Sequence, residues 1–249
     1  MGSKFGSTET LKVNYNVLPN RMPKFWSYTR WVAFNKCKLF YLLAYCHKIK
    51  QPDSYHLARG IDIHAKAEAF LKGEVKGIPR ELAQFRKPFA AVKKAGAVAE
   101  QNITLTKSFG LTTPTDWAHA WLRIKIDILM HEEGSTHVDF IDVKTGKNRG
   151  EYQEQEEIYG MGCFTYFPKV KTLDTEYWFV DSGEVESNSF DRKQYPALKK
   201  KWRKNAATMI DCTKFPAEPS DFGCGYCPFR SDKKLPNGEP GMCDKWQKG

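Results

Sequence analysis

Two neighbouring segments decide the fold: His119-Ala-Trp-Leu-Arg-Ile-Lys-Ile-Asp-Ile-Leu-Met130 and His137-Val-Asp-Phe-Ile-Asp-Val-Lys144, separated by Glu132-Glu-Gly134. The first alternates. Ala120, Leu122, Ile124, Ile126, Ile128 and Met130 share one face, and Trp121, Arg123, Lys125 and Asp127 share the other. That is the period of a half-buried strand. Gly134 supplies the turn, and the second segment is a further strand. If the two pair as a hairpin, Asp127 converges with Asp142 and Lys144, which stand at i and i+2 and point the same way.

Outward from this pair, periodicity predicts a helix over Trp26–Lys48, ended by Pro52. Two more follow, Tyr55–Lys72 closed by Gly73 and Pro79–Ala95 closed by Gly96. Val98–Phe109 reads as a strand, Glu151–Phe167 as a helix stopped by Pro168, and Thr172–Asp181 with Glu184–Phe190 as a hairpin. A basic helix over Gln194–Ile210 precedes a tail that holds four of the seven cysteines. Residues 1–20 read as a loose arm with one short strand, 21–96 as a helical part and 97–210 as the core. Residues 211–249 read as a cysteine-bearing C-terminal extension packed on the N-terminal helices, within one compact domain. The fold class is α/β with a mixed, largely antiparallel sheet. No G-x-G-x-x-G turn follows a strand and no P-loop is present, which argues against a dinucleotide or P-loop nucleotide site.

The 249 residues, 41% hydrophobic and 27% charged, exclude wholesale disorder and suffice for a core without disulfide staples. No apolar run approaches the roughly 20 residues of a membrane helix, and mean hydropathy is −0.58. Met1–Thr10 is polar and shows no secretory signal, so a cytoplasmic setting and reduced cysteines are expected. The net charge of +10 favours a polyanionic partner.

Two close carboxylates repel unless a cation neutralises them, and an oxygen-rich site suits Mg²⁺ or Mn²⁺. A lysine beside the cation can orient or deprotonate an attacking water. His64, in Gly60-Ile-Asp-Ile-His64, and Glu68 one turn later share a helical stripe. Gln155 and Tyr159 are likewise i, i+4 neighbours. Cys224-Gly-Tyr-Cys227 reads as a loop whose two thiolates can grip one metal. On the basic helix Lys199, Lys200 and Arg203 are phosphate-contact candidates, as are Arg123 and Lys125 on the strand. Trp202 or Tyr195 could stack a base, or Trp202 could lie in the core, and Trp26, Tyr28, Arg30 and Trp31 form a second aromatic–basic cluster that could line a strand channel or pack the first helix. No sequence-reading module is visible.

Taken in order, Gly60-xxx-His64, Asp127, Asp142-x-Lys144 and Gln155-xxx-Tyr159 resemble the RecB-type branch of the PD-(D/E)xK nuclease superfamily, over about Arg30–Cys243. The resemblance implies a restriction-endonuclease-like core flanked by helices. It implies His64, Asp127, Asp142 and the carbonyl of Val143 as ligands of Mg²⁺ or Mn²⁺, and Lys144 as the catalytic lysine. Gln155 and Tyr159 would position that lysine and the DNA, and Glu100 sits where relatives often carry an acid. A subset of these nucleases holds an iron–sulfur cluster on one early and three late cysteines. Cys37, Cys224, Cys227 and Cys243 would match as [4Fe-4S] ligands, with zinc or free thiols as alternatives and with a longer last gap than in relatives. The activity implied is a metal-dependent exonuclease on DNA ends or single strands, similar to phage recombination and CRISPR-associated adaptation nucleases. An endonuclease, a non-catalytic nucleic-acid-binding protein and a structural iron–sulfur or zinc protein are the alternatives.

Overall fold

A computed structural model describes residues 18–19, 22–147, 150 and 152–246. Nearly all of the expected N-terminal arm lies outside the described residues. The described residues divide into two units, one within 24–32 and 52–212, the other within 18–23, 33–51 and 213–246.

The larger unit holds a six-stranded sheet. Its strands are β1 (Val98–Leu105), β2 (Leu111–Thr112), β3 (Leu122–Met130), β4 (His137–Lys144), β5 (Thr172–Phe179) and β6 (Glu184–Asp191), in the order β2-β1-β3-β4-β5-β6. Among the six described strands, β4 and β5 alone pair with each other in parallel, across the helical connection that such a pair requires. The sheet is therefore mixed and largely antiparallel.

Alternation fills both faces. On one, Ile141 and Val143 of β4 and Trp178 of β5 pack with Ile63, Ala67, Phe70, Phe85 and Phe89. These belong to α3 (Tyr55–Lys72), a 3₁₀ turn (Arg80–Phe85) and α4 (Arg86–Lys94). The helix α3 keeps the bounds its periodicity predicts because Gly73 takes a left-handed φ of 79° at its C-terminus. On the other face lies α5 (Gln153–Tyr166), where Gly160 and Gly162 let the helix approach closely. A Cβ at Gly162 would sit 2.5 Å from Ile124 Cδ1. Behind it, α6 (Tyr195–Ile210) buries Leu198, Trp202, Ala206 and Met209.

Three local expectations are corrected. The strand expected to reach Phe109 ends at Leu105, because Phe109 takes a left-handed φ of 64° in a turn that adds the short strand β2. The strand expected from His119 begins at Leu122, because residues 116–119 form a turn around the Asp116 side chain. The long N-terminal helix is broken into α1 (Tyr28–Lys36), α2 (Lys38–Tyr41) and a π-helical turn (Leu42–Cys46). At the break Cys37 is extended, with φ −169° and ψ 119°. There the Glu218 amide donates to Cys37 Sγ (3.4 Å) and the Lys38 amide donates to Glu218 Oε2 (2.9 Å). These tertiary bonds override the helical period.

The smaller unit has its own apolar cluster of Leu43, Phe229 and Leu235, with Leu39, Phe40 and Met242 against it. Cys224 lies on a short helix, α7 (Asp221–Tyr226), rather than in the expected loop, and Cys227 ends it. Ser220 caps the helix by accepting from the Gly223 amide.

Candidate active site

β3 and β4 pair from Ile128–Ile141 to Met130–Asp139, and the ladder stops where Asp127 would meet Asp142. Instead, Asp127 Oδ2 accepts from the Val143 amide at 2.8 Å. On the other side of β3, β1 pairs on both sides of Glu100 but not at it, and Glu100 takes a left-handed φ of 57°. The alternation of β3 slips at this point. Ile124 faces Gly162 of α5, whereas Ile128 packs with the α3 and α4 cluster. Asp127 and Ile128, consecutive, both turn toward α3. Irregular pairing of this kind re-aims side chains next to functional sites. The expected single face of Leu122, Ile124, Ile126, Ile128 and Met130 is thus two faces.

The result is a cavity of about 710 Å³, lined among others by Gly60, His64, Glu68, Glu100, Lys125, Asp127, Asp142, Val143, Lys144 and Tyr159. Ligand atoms of His64, Glu100 and Asp127 all lie within 4.8 Å of one another. His64 Nδ1 is 3.2 Å from Asp127 Oδ2. Burial alone would lower the His64 pKa, but the Asp127 carboxylate outweighs it and the net direction is upward. Lys125 contacts Glu100. Glu68 pairs instead with Lys72 on its own helix, at 2.5 Å.

Asp142 is buried and belongs to a second, tighter network. Lys144 Nζ donates to Asp142 Oδ2 (2.6 Å) and to Gln155 Oε1 (2.9 Å), and Gln155 Nε2 donates to Asp142 Oδ1 (2.6 Å). Burial, opposed by Lys144 and reinforced by Asp127, raises the Asp142 carboxyl from 3.8 to about 6. Burial likewise pushes the Tyr159 phenol well above its usual value. The Lys144 ammonium also lies 5.2 Å and 5.1 Å from the ring centroids of Tyr152 and Tyr177. Sequence reading missed both tyrosines: Tyr152 lies between Lys144 and Gln155 but off the i, i+4 spacing, and Tyr177 is brought in by the pairing of β4 with β5.

The phosphate-contact candidates scatter. Lys125 lines the cavity. Arg123 packs between Phe25 and Trp117, with its guanidinium carbon 4.0 Å and 4.6 Å from their centroids. Lys199 lies over Tyr195 and Arg203 over Phe109, while Lys200 is exposed. Trp202 is fully buried, stacked on Trp26, and donates to Glu157 at 2.9 Å. It therefore cannot stack a base, and Trp26 and Trp31 are core residues as well. A second His–Asp group, His137 with Asp139 and Asp174, is a partly exposed set of ion pairs at the opposite end of β4.

Compared with known families, residues 25–231 match the model of the PD-(D/E)XK nuclease superfamily. The chain belongs to this superfamily. The mixed sheet flanked by helices is consistent with its restriction-endonuclease-like fold, and the acidic cluster with its use of divalent metals. Two solved structures resemble this superfamily member. The crystal structure of SSO0001 shares 13% identity at a TM-score of 0.47, covering 84% of this chain and 85% of its own. An Eubacterium rectale protein provisionally named an exonuclease shares 9% at 0.46, covering 86% and 89%. Comparison with curated protein sequences finds no significant match. Among the described residues, no helix is long and apolar enough to cross a membrane.

In the smaller unit, Cys37, Cys224, Cys227 and Cys243 line one cavity. The long gap before Cys243 is folded away. Residues 234–240 form a turn closed by the Leu235 amide on the Glu239 carbonyl, and the Cys243 amide donates to the Phe229 carbonyl. A Cβ at Gly241 would collide with the Arg230 carbonyl oxygen, so only glycine fits there.

Proposed function

We propose that the chain is a Mg²⁺- or Mn²⁺-dependent deoxyribonuclease that acts on DNA ends or single strands. The observation that carries this reading is the convergence of His64, Glu100 and Asp127 beside the Asp142–Lys144–Gln155 network. One nitrogen and several carboxylate oxygens, facing an open cavity, are a donor set that fits a hard divalent cation. His64, Glu100, Asp127 and Asp142 would hold it, with the Val143 carbonyl. When bound, the cation supplies a Lewis acid that stabilises the charge developing on the phosphate. Lys144, fixed between Asp142 and Gln155, orients the attacking water by hydrogen bonding. Gln155 and Tyr159 hold Lys144 and Asp142 in place from α5. Preference for ends, and a role in recombination, repair or replication, rest on the order of motifs shared with RecB-type nucleases.

We also infer that the four cysteines hold a [4Fe-4S] cluster. The four line one cavity, and their order along the chain, one early and three late, is that of the iron–sulfur subset.

The test is digestion of end-labelled linear single- and double-stranded DNA, alongside a closed circle, with Mg²⁺, Mn²⁺ or EDTA. Metal-dependent loss of linear DNA, abolished by Lys144→Ala while the circle survives, is the expected result. Cutting of the circle would make the protein an endonuclease. Retention of DNA on a gel without cutting under any metal would make it a binding protein.

A further inference from the structure

One exposed aromatic group stands out from the core-packed tryptophans. Trp117, in the turn before β3, is 68% exposed. It is nevertheless held rather than loose. The Arg123 guanidinium lies over its ring at 4.6 Å, and Phe25 meets it edge-on at 6.3 Å and 64°. Phe25 is itself covered by Arg123 (4.0 Å) and by Arg30 (3.9 Å). Arg123 is fixed in this stack by donating to the Pro114 carbonyl at 2.8 Å. Its Nε is buried without a hydrogen-bond partner. With one ring face occupied by Arg123 and two thirds of its surface in water, Trp117 presents a flat aromatic face backed by positive charge.

The position of the stack matters. Arg123, Lys125 and Asp127 stand at i, i+2 and i+4 on β3, and Lys125 and Asp127 line the cation cavity. Arg123 is thus about 13 Å from Asp127 along the strand. At a rise of about 3.4 Å per nucleotide, four nucleotides or fewer bridge that distance. Thr29, beside Arg30, lines the same cavity. An exposed indole supported by a guanidinium is the chemistry that takes the π-face of a nucleobase, whatever the base. In the interior of a duplex the bases stack on each other and offer no such face.

We propose that Trp117, backed by Arg123 and Phe25, is a stacking platform for an unpaired base of the strand entering the site. This rests on the nuclease reading for the identity of that strand, but it is tested separately, by binding in EDTA. The probes are fluorescein-labelled oligo(dT), oligo(rU), an oligonucleotide of abasic residues and a blunt duplex, followed by anisotropy. Trp117→Ala should weaken oligo(dT) binding roughly tenfold, and Trp117→Phe should stay within about threefold. The abasic strand should bind both proteins alike. A parallel loss for oligo(rU) means that the platform takes either sugar, and a loss for DNA alone that the strand is DNA; both support the platform. Equal affinity of wild type and Trp117→Ala for oligo(dT), equal losses for strand and duplex, or no strand retention by the wild type each overturn it. If Trp117-dependent binding is found but no metal supports cleavage, the platform stands and the nuclease reading fails.

Discussion

His64 and Asp142 couple cation binding to pH through opposite chemistries that act in the same direction. Asp142 is raised to about 6 by burial, so its protonated form is favoured in the folded chain. Its contribution to stability is present in full below about 4 and is lost as pH rises through about 6. His64 is raised by Asp127, so its contribution is present below about 6.5 and is lost above its raised value. The cation-free protein should therefore melt at a higher temperature at pH 5.5 than at pH 7.5. Mn²⁺ should stabilise it more at pH 7.5, where it need not displace protons. Thermal scans at both pH values check this, and Asp142→Asn should reduce the difference while leaving the part that His64 contributes. For the lysine the expectation is kinetic. Lys144→Ala should lower the cleavage rate by about 10²- to 10⁴-fold while Mn²⁺ affinity, measured by calorimetry, changes far less. The meeting of Asp127, Asp142 and Lys144 was legible from the strand periods, whereas His64 joined them only through the family resemblance, because a helical stripe does not say which strand it faces. Glu100 was only weakly legible, since its carboxylate reaches the cluster through a left-handed backbone that no pattern announces. Trp117 was not legible at all, because a lone aromatic in a turn carries no period.

At the scale of elements, two glycines with the same sequence cue have different reasons. At Gly60, on α3, an added methyl would meet nothing nearer than Thr145 Oγ1 at 3.6 Å, and the backbone is ordinary helix. Gly60→Ala should raise stability by up to about 1 kcal/mol, while cleavage falls because the methyl projects into the cavity. Gly162, on α5, has Ile124 at 2.5 Å. Gly162→Ala should destabilise by about 1–3 kcal/mol, read from urea midpoints. Helix α3, strand β4 and the β5–β6 hairpin were legible because alternation, capping and tertiary contacts agree. The break at Cys37 was not, because Glu218, far away in sequence, creates it. The slip of β3 at Asp127 was likewise hidden, since it depends on the conformation of β1.

At the scale of the molecule, the mixed sheet was legible from the order of elements. The smaller unit assembles residues 33–51 with 213–249, and its cysteines meet only through that assembly. If they hold a cluster, protein purified without oxygen should absorb near 400 nm, and Cys227→Ser should lose that absorption. Gly241→Ala should lose it too, because the methyl would displace the turn that returns Cys243. Colourless anaerobic protein would contradict the cluster. The central claim is that His64, Glu100 and Asp127, with Asp142, form the cation site. It is tested most directly by anomalous diffraction from crystals soaked in Mn²⁺. The predicted result is a peak within about 2.5 Å of the His64, Glu100 and Asp127 ligand atoms, absent in Asp127→Asn. A protein that cleaves DNA with Mn²⁺ but shows its manganese only elsewhere, such as at His137, Asp139 and Asp174, would contradict it.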